Sequence, residues 1–467
     1  MYTDTISAIS TGLGEGGIGI VRLTGPQALP ILHNIFRTPG GKRKSKFESH
    51  RLYYGQVVSG GDARGELLDE VMAVYLAGPR TYTREDMVEL NCHGGVVPLE
   101  RVLNLTLEQG ARLAEPGEFT LRAFLNGRID LAQAEAVLDI VRSKTGPGLE
   151  QALGQLAGNL SRRIAAVRQG LLSSLAHLEA MIDFPEDDVP PASVAPQLLQ
   201  TQAELEKLLA TADAGIIYRQ GIRAAIVGVP NVGKSSLLNA LLRADRAIVT
   251  PIAGTTRDVI EETVNLRGVP VVLVDTAGIT ATEDVVEALG IERSRQALSS
   301  ADLLLLVLDS SRELGPGDLE LVEAVRGELA RESGKKACVI LNKSDLAPQI
   351  VGISRVEELL PGLPVVSISA VTGERLDELE EKLSRLALGG QNVATHSVMV
   401  TNERHRRALA QAAEHLEAAI LSSEGGLPAD FVSIDLRLAM DCLGEITGES
   451  VQDSLLKEIF ENFCIGK

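Results

Sequence analysis

The chain has few cysteines, no long apolar run and no excess of positive charge. Its four cysteines, Cys92, Cys338, Cys442 and Cys464, form no CxxC and no metal-ligand spacing, which excludes a cysteine-built metal motif and points to a reducing cytoplasm. No run of about 18 apolar residues and no signal peptide is visible, so no membrane span is expected. Lys and Arg number 45 against 63 Asp and Glu, a formal net charge of −18. That balance argues against a general nucleic-acid coat, which needs basic surface. Basic clusters at Lys42–Lys46 and Arg404–Arg407 read as solvated faces. His93 beside Cys92 in NCHGG hints at a metal, but a turn before a helix is the plainer reading. Cys338, in an expected core strand, reads as inert. The 467 residues suffice for about three domains.

Against these absences stands Gly228–Ser235, GVPNVGKS, a match to G-x-x-x-x-G-K-[ST]. The apolar run Ile222–Val227 precedes it as an expected strand, and Ser235 opens an expected helix through Leu242. Glycines let backbone N–H groups curl around a β-phosphate, and a helix N-terminus adds the positive end of its dipole. Lys234 is placed to reach the β- and γ-phosphates, and Ser235 to hold Mg²⁺. Three more loops follow in order. DTAG (Asp275–Gly278) comes after Val271–Val274, NKSD (Asn342–Asp345) after Cys338–Leu341, and Ser369–Ala370 after Pro364–Ile368. Each lies at the expected C-terminal end of a parallel strand, where open α/β sheets bind ligands. The base reads as guanine. The Asp345 carboxylate accepts two parallel hydrogen bonds from guanine N1–H and its exocyclic amine. The Asn342 amide is expected on the far side of the purine, with the Lys343 stem over the ring. GTTRD (Gly254–Asp258) lies where a switch loop belongs, with Thr256 as a second Mg²⁺ hydroxyl.

Residues 1–120 mix short strand-like runs (Thr5–Ile9, Gly19–Leu23, Leu52–Val58, Val71–Leu76) with an expected helix at Pro98–Glu108. Gly14, Gly16 and Gly19 spell G-x-G-x-x-G, but the third glycine leads into the strand-like IVRLTG, so a turn between strands is expected rather than a dinucleotide site. From about Leu121 the pattern turns helical. Leu149, Leu153, Leu156, Leu160, Ile164, Val167, Leu171, Leu175, Leu178 and Ile182 form one long stripe, broken by PEDDVPP at 185–191. A second helix is expected over Val194–Asp213, and helical pattern resumes from Asn402 to Phe463. The fold class is multidomain α/β. An α+β domain spans 1–120, a helical domain 121–219 and 386–467, and a Ras-like, doubly wound P-loop domain at 220–385 is expected to be inserted in it. Two unrelated helical domains are the alternative.

IGIVR (Ile18–Arg22), YTREDMVEL (Tyr82–Leu90), PGEFTLRAFLNGRID (Pro116–Asp130), LAQAEAV (Leu131–Val137), GVPNVGKSS, GTTRD, DTAGI and FCIGK together resemble the MnmE (TrmE) family of tRNA modification GTPases, essentially end to end. The resemblance implies an N-terminal domain similar to tetrahydrofolate-binding one-carbon domains, which also forms the homodimer. It implies a flavoprotein partner, MnmG, and a tRNA substrate. The implied reaction places an aminomethyl or carboxymethylaminomethyl group on C5 of the wobble uridine, using a 5-formyl- or methylene-tetrahydrofolate unit. The implied GTP-contacting set is Asn231, Val232, Gly233, Lys234, Ser235 and Ser236; Thr250, Pro251, Ile252, Ala253, Gly254, Thr255 and Thr256; Asp275, Thr276, Ala277 and Gly278; Asn342, Lys343 and Asp345; Ser369 and Ala370.

Ile279 stands where Ras-like enzymes carry a water-orienting glutamine. Arg257 is a candidate arginine finger or a surface ion-pair partner. The resemblance implies K⁺ held by Asn231, Thr250, Ile252 and Thr255, supplying the finger's charge when two such domains pair. It implies Glu287 as the water-orienting group; by spacing, Glu287 is one of several acids in EDVVEALGIE. It implies folate contacts at Arg22, Glu85, Arg128 and Lys467, with Cys464 of FCIGK at the one-carbon centre as nucleophile or acid–base group. Relatives often carry lysine at the Arg128 position, which keeps the charge but not the fork geometry. A regulatory GTPase switch without one-carbon chemistry is the second reading. The acidic balance and the folate-like domain favour the enzyme.

Overall fold

The computed structural model describes residues 3–59, 65–183, 194–244, 262–274, 298–331, 334–390 and 398–467. The described residues form two compact units. One joins Met1–Leu138 to Gly444–Lys467, and the other holds the described residues between 139 and 443.

In the first unit, β1 (Ile6–Ile9), β2 (Gly16–Thr24), β3 (Phe36–Arg37), β4 (Arg51–Val58), β5 (Leu67–Leu76), β6 (Met87–Gly94) and β7 (Arg112–Leu113) form one sheet. Its order is β3-β4-β5-β6-β2-β1-β7, antiparallel except for the β1–β7 pair. Alternation sorts its side chains. Val21 and Leu23 of β2, Val88 and Leu90 of β6, and Val71 and Ala73 of β5 join Ile31, Leu32, Leu99 and Val102 of two covering helices. The opposite face of β2 carries Arg22 and Thr24. The turn expected at Gly14, Gly16 and Gly19 is shorter than that: β1 and β2 pair antiparallel, but Gly16 and Gly19 already lie in β2, whose pairing with β6 shifts register between them. Gly19 has a packing role, since a Cβ there would lie 2.5 Å from Leu99 Cδ1. The helix Glu118–Leu125 starts three residues before the expected change of character. Residues 453–463 return to this unit, where Phe460 and Phe463 pack with Leu131 and Leu138.

In the second unit, β8 (Ile222–Val227), β9 (Glu262–Leu266), β10 (Val269–Val274), β11 (Leu303–Asp309), β12 (Lys336–Asn342) and β13 (Val365–Ser367) lie in the order β13-β12-β11-β8-β10-β9. Only β9 is antiparallel to its neighbour. The central strands are near-continuous apolar runs because both faces are covered. Ile226, Leu305, Val307 and Ile340 meet Leu237, Leu241, Leu379 and Leu383 on one face. Val227, Leu304, Leu306 and Val339 meet Val322, Val325 and Val356 on the other. The chain leaves β8 towards β9 and β10 but leaves β11 towards β12 and β13. The carboxyl ends of β8 and β11 therefore flank the topological switch point, where doubly wound sheets take ligands.

The helical part corrects two expectations. The stripe from Leu149 to Ile182 is two helices, Gly146–Leu156 and Asn159–Asp183, parted at Gly158, whose φ is 79°. Leu149, Leu153 and Ile182 are exposed, so only its middle is core. The helix expected over Val194–Asp213 is also two, Ala195–Leu209 and Ala212–Gln220. Helix Glu403–Glu424, capped by the Asn402 side chain on Arg404 N–H at 2.9 Å, packs on Ala195–Leu209. Thr211 Oγ1 accepts from Val400 N at 3.1 Å, and Thr401 Oγ1 donates to Gln155 Oε1 at 3.0 Å.

Candidate functional site

The phosphate loop follows β8 and runs into the helix Lys234–Ala244. Lys234 Nζ donates to Gly228 O at 2.8 Å and Val229 O at 2.9 Å, so the cation is held at the mouth of its own loop. Burial pushes its ammonium below the usual lysine range, which an arriving phosphate would reverse. Gly233 takes φ 98°, and a Cβ there would collide with Asn342 Nδ2. Val232 is fully buried, and Asn231 is exposed with φ 66°. Ser235 is exposed and Ser236 half-buried on the first helical turn. This loop and helix start fit a nucleotide phosphate, and the Ser235 hydroxyl fits a Mg²⁺ ligand.

Asn342, 2% exposed, fastens three loops together. Its Nδ2 donates to Val232 O at 2.9 Å, and its Oδ1 accepts from Ala370 N at 3.0 Å. The sequence reading sent this amide to the purine; the structure uses both of its polar atoms to join the phosphate loop, NKSD and Ser369–Ala370. Lys343 has φ 68°, and its Nζ binds Asp309 Oδ2 at 2.6 Å. Burial pushes the Asp309 carboxyl up, but hydrogen bonds from Lys343 and Ser311 outweigh it and hold it below the ordinary value. Asp345 is exposed beside them. Asp309 was missed in the sequence, although LLLLVLD ends a buried strand at the switch point and obeys the rule that found the other loops. Thr250, Pro251, Ile252, Ala253, Gly254, Thr255, Thr256, Arg257, Asp275, Thr276, Ala277, Gly278, Ile279 and Glu287 lie outside the described residues.

The first unit gathers the other set. Arg22 holds Glu89 Oε1 through Nε at 2.9 Å and reaches Gly466 O through Nη1 at 3.4 Å. Its guanidinium lies 5.9 Å from the Phe119 ring, and that of Arg128 lies 4.6 Å from the Tyr82 ring. Burial raises the Tyr82 phenol against the pull of the Thr120 hydroxyl, Arg128 and Arg22. Burial lowers the Lys467 ammonium; Cys464 opposes this and Arg22 adds to it. Cys464 is exposed, and its carbonyl accepts Gly117 N–H at 3.4 Å. Glu85 Oε2 accepts from Thr24 Oγ1 at 3.0 Å and from Arg122 Nη1 at 3.4 Å. Arg122, wholly buried, also binds Asp4 Oδ1 at 2.8 Å and Glu118 Oε1 at 2.9 Å. Two arginines, a carboxylate with an open oxygen and an aromatic ring fit a flat, polar, acidic ligand such as folate. Tyr82, Thr24, Thr83, Phe119 and Arg122 were not foreseen, because burial of a charged side chain leaves no periodic mark.

His93 lies within β6 rather than in a turn, and its Nδ1 lies 2.6 Å from Asp69 Oδ1, a pairing that raises its pKa. No group of three or more potential metal-ligating side chains occurs among the described residues. Burial pushes the Cys338 and Cys92 thiols up to about 12, so both are inert. No helix among the described residues is long and apolar enough to cross a membrane.

The family model described as "MnmE helical domain" matches residues 131–464, and "GTP-binding protein TrmE N-terminus" matches residues 5–128. The chain is 49% identical to the tRNA modification GTPase MnmE of Alkaliphilus metalliredigens over 99% of both chains. It is 51% identical to that of Geobacillus thermodenitrificans over 99% of both, and 50% identical to that of Bacillus subtilis over 99% of this chain and 100% of the other. With a phosphate loop at the switch point of a doubly wound sheet and relatives of this identity along its whole length, the chain belongs to the MnmE family of tRNA modification GTPases.

Proposed function

We infer that this GTPase couples K⁺-dependent GTP hydrolysis to modification of C5 of the wobble uridine of certain tRNAs, working as a cytoplasmic homodimer with an MnmG-type flavoprotein. The added aminomethyl or carboxymethylaminomethyl group draws on a tetrahydrofolate one-carbon unit. The observation that carries this reading is the convergence, in one unit, of Arg22, Arg128 beside Tyr82, Cys464 and Lys467, with the Glu85 carboxylate on the Arg22 face of β2. A GTPase switch that only timed binding would have no use for such a set.

In the nucleotide unit, Lys234 and the loop N–H groups bind and orient the phosphates, and Asp345 selects guanine. Ser235 and Thr256 would hold Mg²⁺, and Asn231, Thr250, Ile252 and Thr255 would hold K⁺. These ions neutralise charge on the transferring phosphoryl group. Glu287 orients the attacking water. In the first unit, Arg22 and Arg128 meet the carboxylates of the folate tail, Glu85 takes pterin N–H donors, and Lys467 and Cys464 stand at the one-carbon centre. The nucleotide domain, about residues 220–385, is inserted between helical segments 121–219 and 386–467. The packing of Ala195–Leu209 on Glu403–Glu424 from opposite sides of that insert supports this division. The test is mass analysis of wobble uridines in tRNA from cells lacking this protein. Loss of the modified nucleoside, restored by the gene, is expected; an unchanged profile refutes the reading.

A further inference from the structure

The two oxygens of Glu85 are not equivalent. Oε2 takes two donors, the Thr24 hydroxyl at 3.0 Å and Arg122 Nη1 at 3.4 Å. Among the described residues, Oε1 makes no hydrogen bond. The polarity of the surrounding chain is forced. A carboxylate oxygen only accepts, so Thr24 donates to it. The 2.6 Å contact between the Thr24 and Thr83 hydroxyls then requires Thr83 to donate. Thr83 Oγ1 in turn accepts the Glu85 backbone N–H at 3.3 Å. The circuit closes on the residue it began from. Thr24, Thr83 and Arg122 are each 0% exposed, so water does not stand in for a missing member. Arg122 is fixed from behind by Asp4 and Glu118, and Glu118 by Arg112 at 2.6 Å.

We propose that Thr24, Thr83 and Arg122 are positioning residues that saturate Glu85 Oε2 and present Oε1 alone, already oriented, to the adjacent ring N–H and exocyclic amine of a pterin. The inference rests on the folate reading above and adds the device that sets ligand selectivity. An unheld glutamate would lose side-chain freedom on binding, and the circuit removes that loss in advance.

The test is calorimetric binding of 5-formyltetrahydrofolate to the full chain, with the tail fragment p-aminobenzoylglutamate as comparator. Thr24→Val keeps the shape and deletes the donor; Thr24→Ser keeps the donor. Thr24→Val is expected to weaken 5-formyltetrahydrofolate roughly tenfold, as for a lost hydrogen bond to a charged group. Thr24→Ser should restore binding to within about twofold, and the tail fragment should bind all variants alike. Thr83→Val, one step removed, should weaken the pterin ligand roughly threefold and serves if Thr24→Val does not fold. Wild-type binding in Thr24→Val or Thr83→Val, or equal loss for the tail fragment, overturns the positioning role. Absence of 5-formyltetrahydrofolate binding to the wild-type chain instead overturns the folate reading, and this inference with it.

Discussion

Replacing Asn342 tests whether guanine recognition and phosphate binding are one structure. Its side chain bridges Val232 O at 2.9 Å and Ala370 N at 3.0 Å in a site 2% exposed to solvent. Asn342→Ala leaves a buried carbonyl and a buried N–H unpaired. Each costs about 1–3 kcal/mol, so roughly 2–4 kcal/mol is expected in the nucleotide-binding unit after partial relaxation. Asn342→Asp is nearly isosteric and keeps the acceptor for Ala370, but it sets a carboxylate oxygen against the Val232 carbonyl. If the three loops are pre-organised by this residue, affinity for a fluorescent GDP analogue falls about 30- to 700-fold in both variants, with Asp no better than Ala. Titration at fixed K⁺ and Mg²⁺, with thermal unfolding in parallel, separates loss of site from loss of fold. An Asn342→Asp protein that binds within twofold of wild type refutes the reasoning, because it would show that the donor to Val232 contributes nothing.

Hydrolysis is expected to be fast in K⁺ and slow in Na⁺ at equal ionic strength; Glu287→Ala should cut it by on the order of 10²-fold with binding kept, and equal rates in the two salts or an unimpaired variant contradict the respective assignments. Cys464→Ser should abolish wobble modification while GTP hydrolysis persists, and in the native chain iodoacetamide should modify Cys464 but spare Cys92 and Cys338, both near pKa 12; normal modified-uridine levels in the variant strain return Cys464 to a packing role. Burial raises Asp4 and Glu118, but Arg112 and Arg122 outweigh it and leave both below their usual values. The stability they contribute is therefore present above about pH 4.5 and lost as pH falls through the depressed folded values. Acid unfolding of wild type should show that loss, Arg112→Gln should weaken its pH dependence, and an identical acid limb in the variant argues against the cluster.

The nucleotide half was legible because phosphate chemistry demands glycine, lysine and hydroxyls at fixed spacing, and because buried parallel strands announce themselves as apolar runs. Ile222–Val227 is the strand expected, residue for residue. The helical half was legible in period but not in breaks. Gly158 and the 210–211 turn interrupt stripes whose leucines continue on both sides. Arg122 and Thr24 were invisible. An arginine or threonine that is wholly buried differs from a surface one only in what folds over it, and those partners, Asp4, Glu85 and Glu118, are scattered over more than a hundred residues. Asn342 was found, but its bonds to Val232 and Ala370 were not foreseen, since those neighbours are adjacent only in space.

The return of residues 444–467 to the first unit has a consequence for biosynthesis. Phe460 and Phe463 complete the core around Leu131 and Leu138, and Arg22 reaches Gly466. Roughly 300 residues of the other unit are translated between these two halves, a wait of roughly 15–60 s at about 5–20 residues per second. The unit that emerges first from the ribosome is thus the last to close, and until it does, Leu131 and Leu138 lack the cover of Phe460 and Phe463. A nascent chain stalled before residue 444 has made every described strand of the second unit but lacks the segment that completes the core of the first.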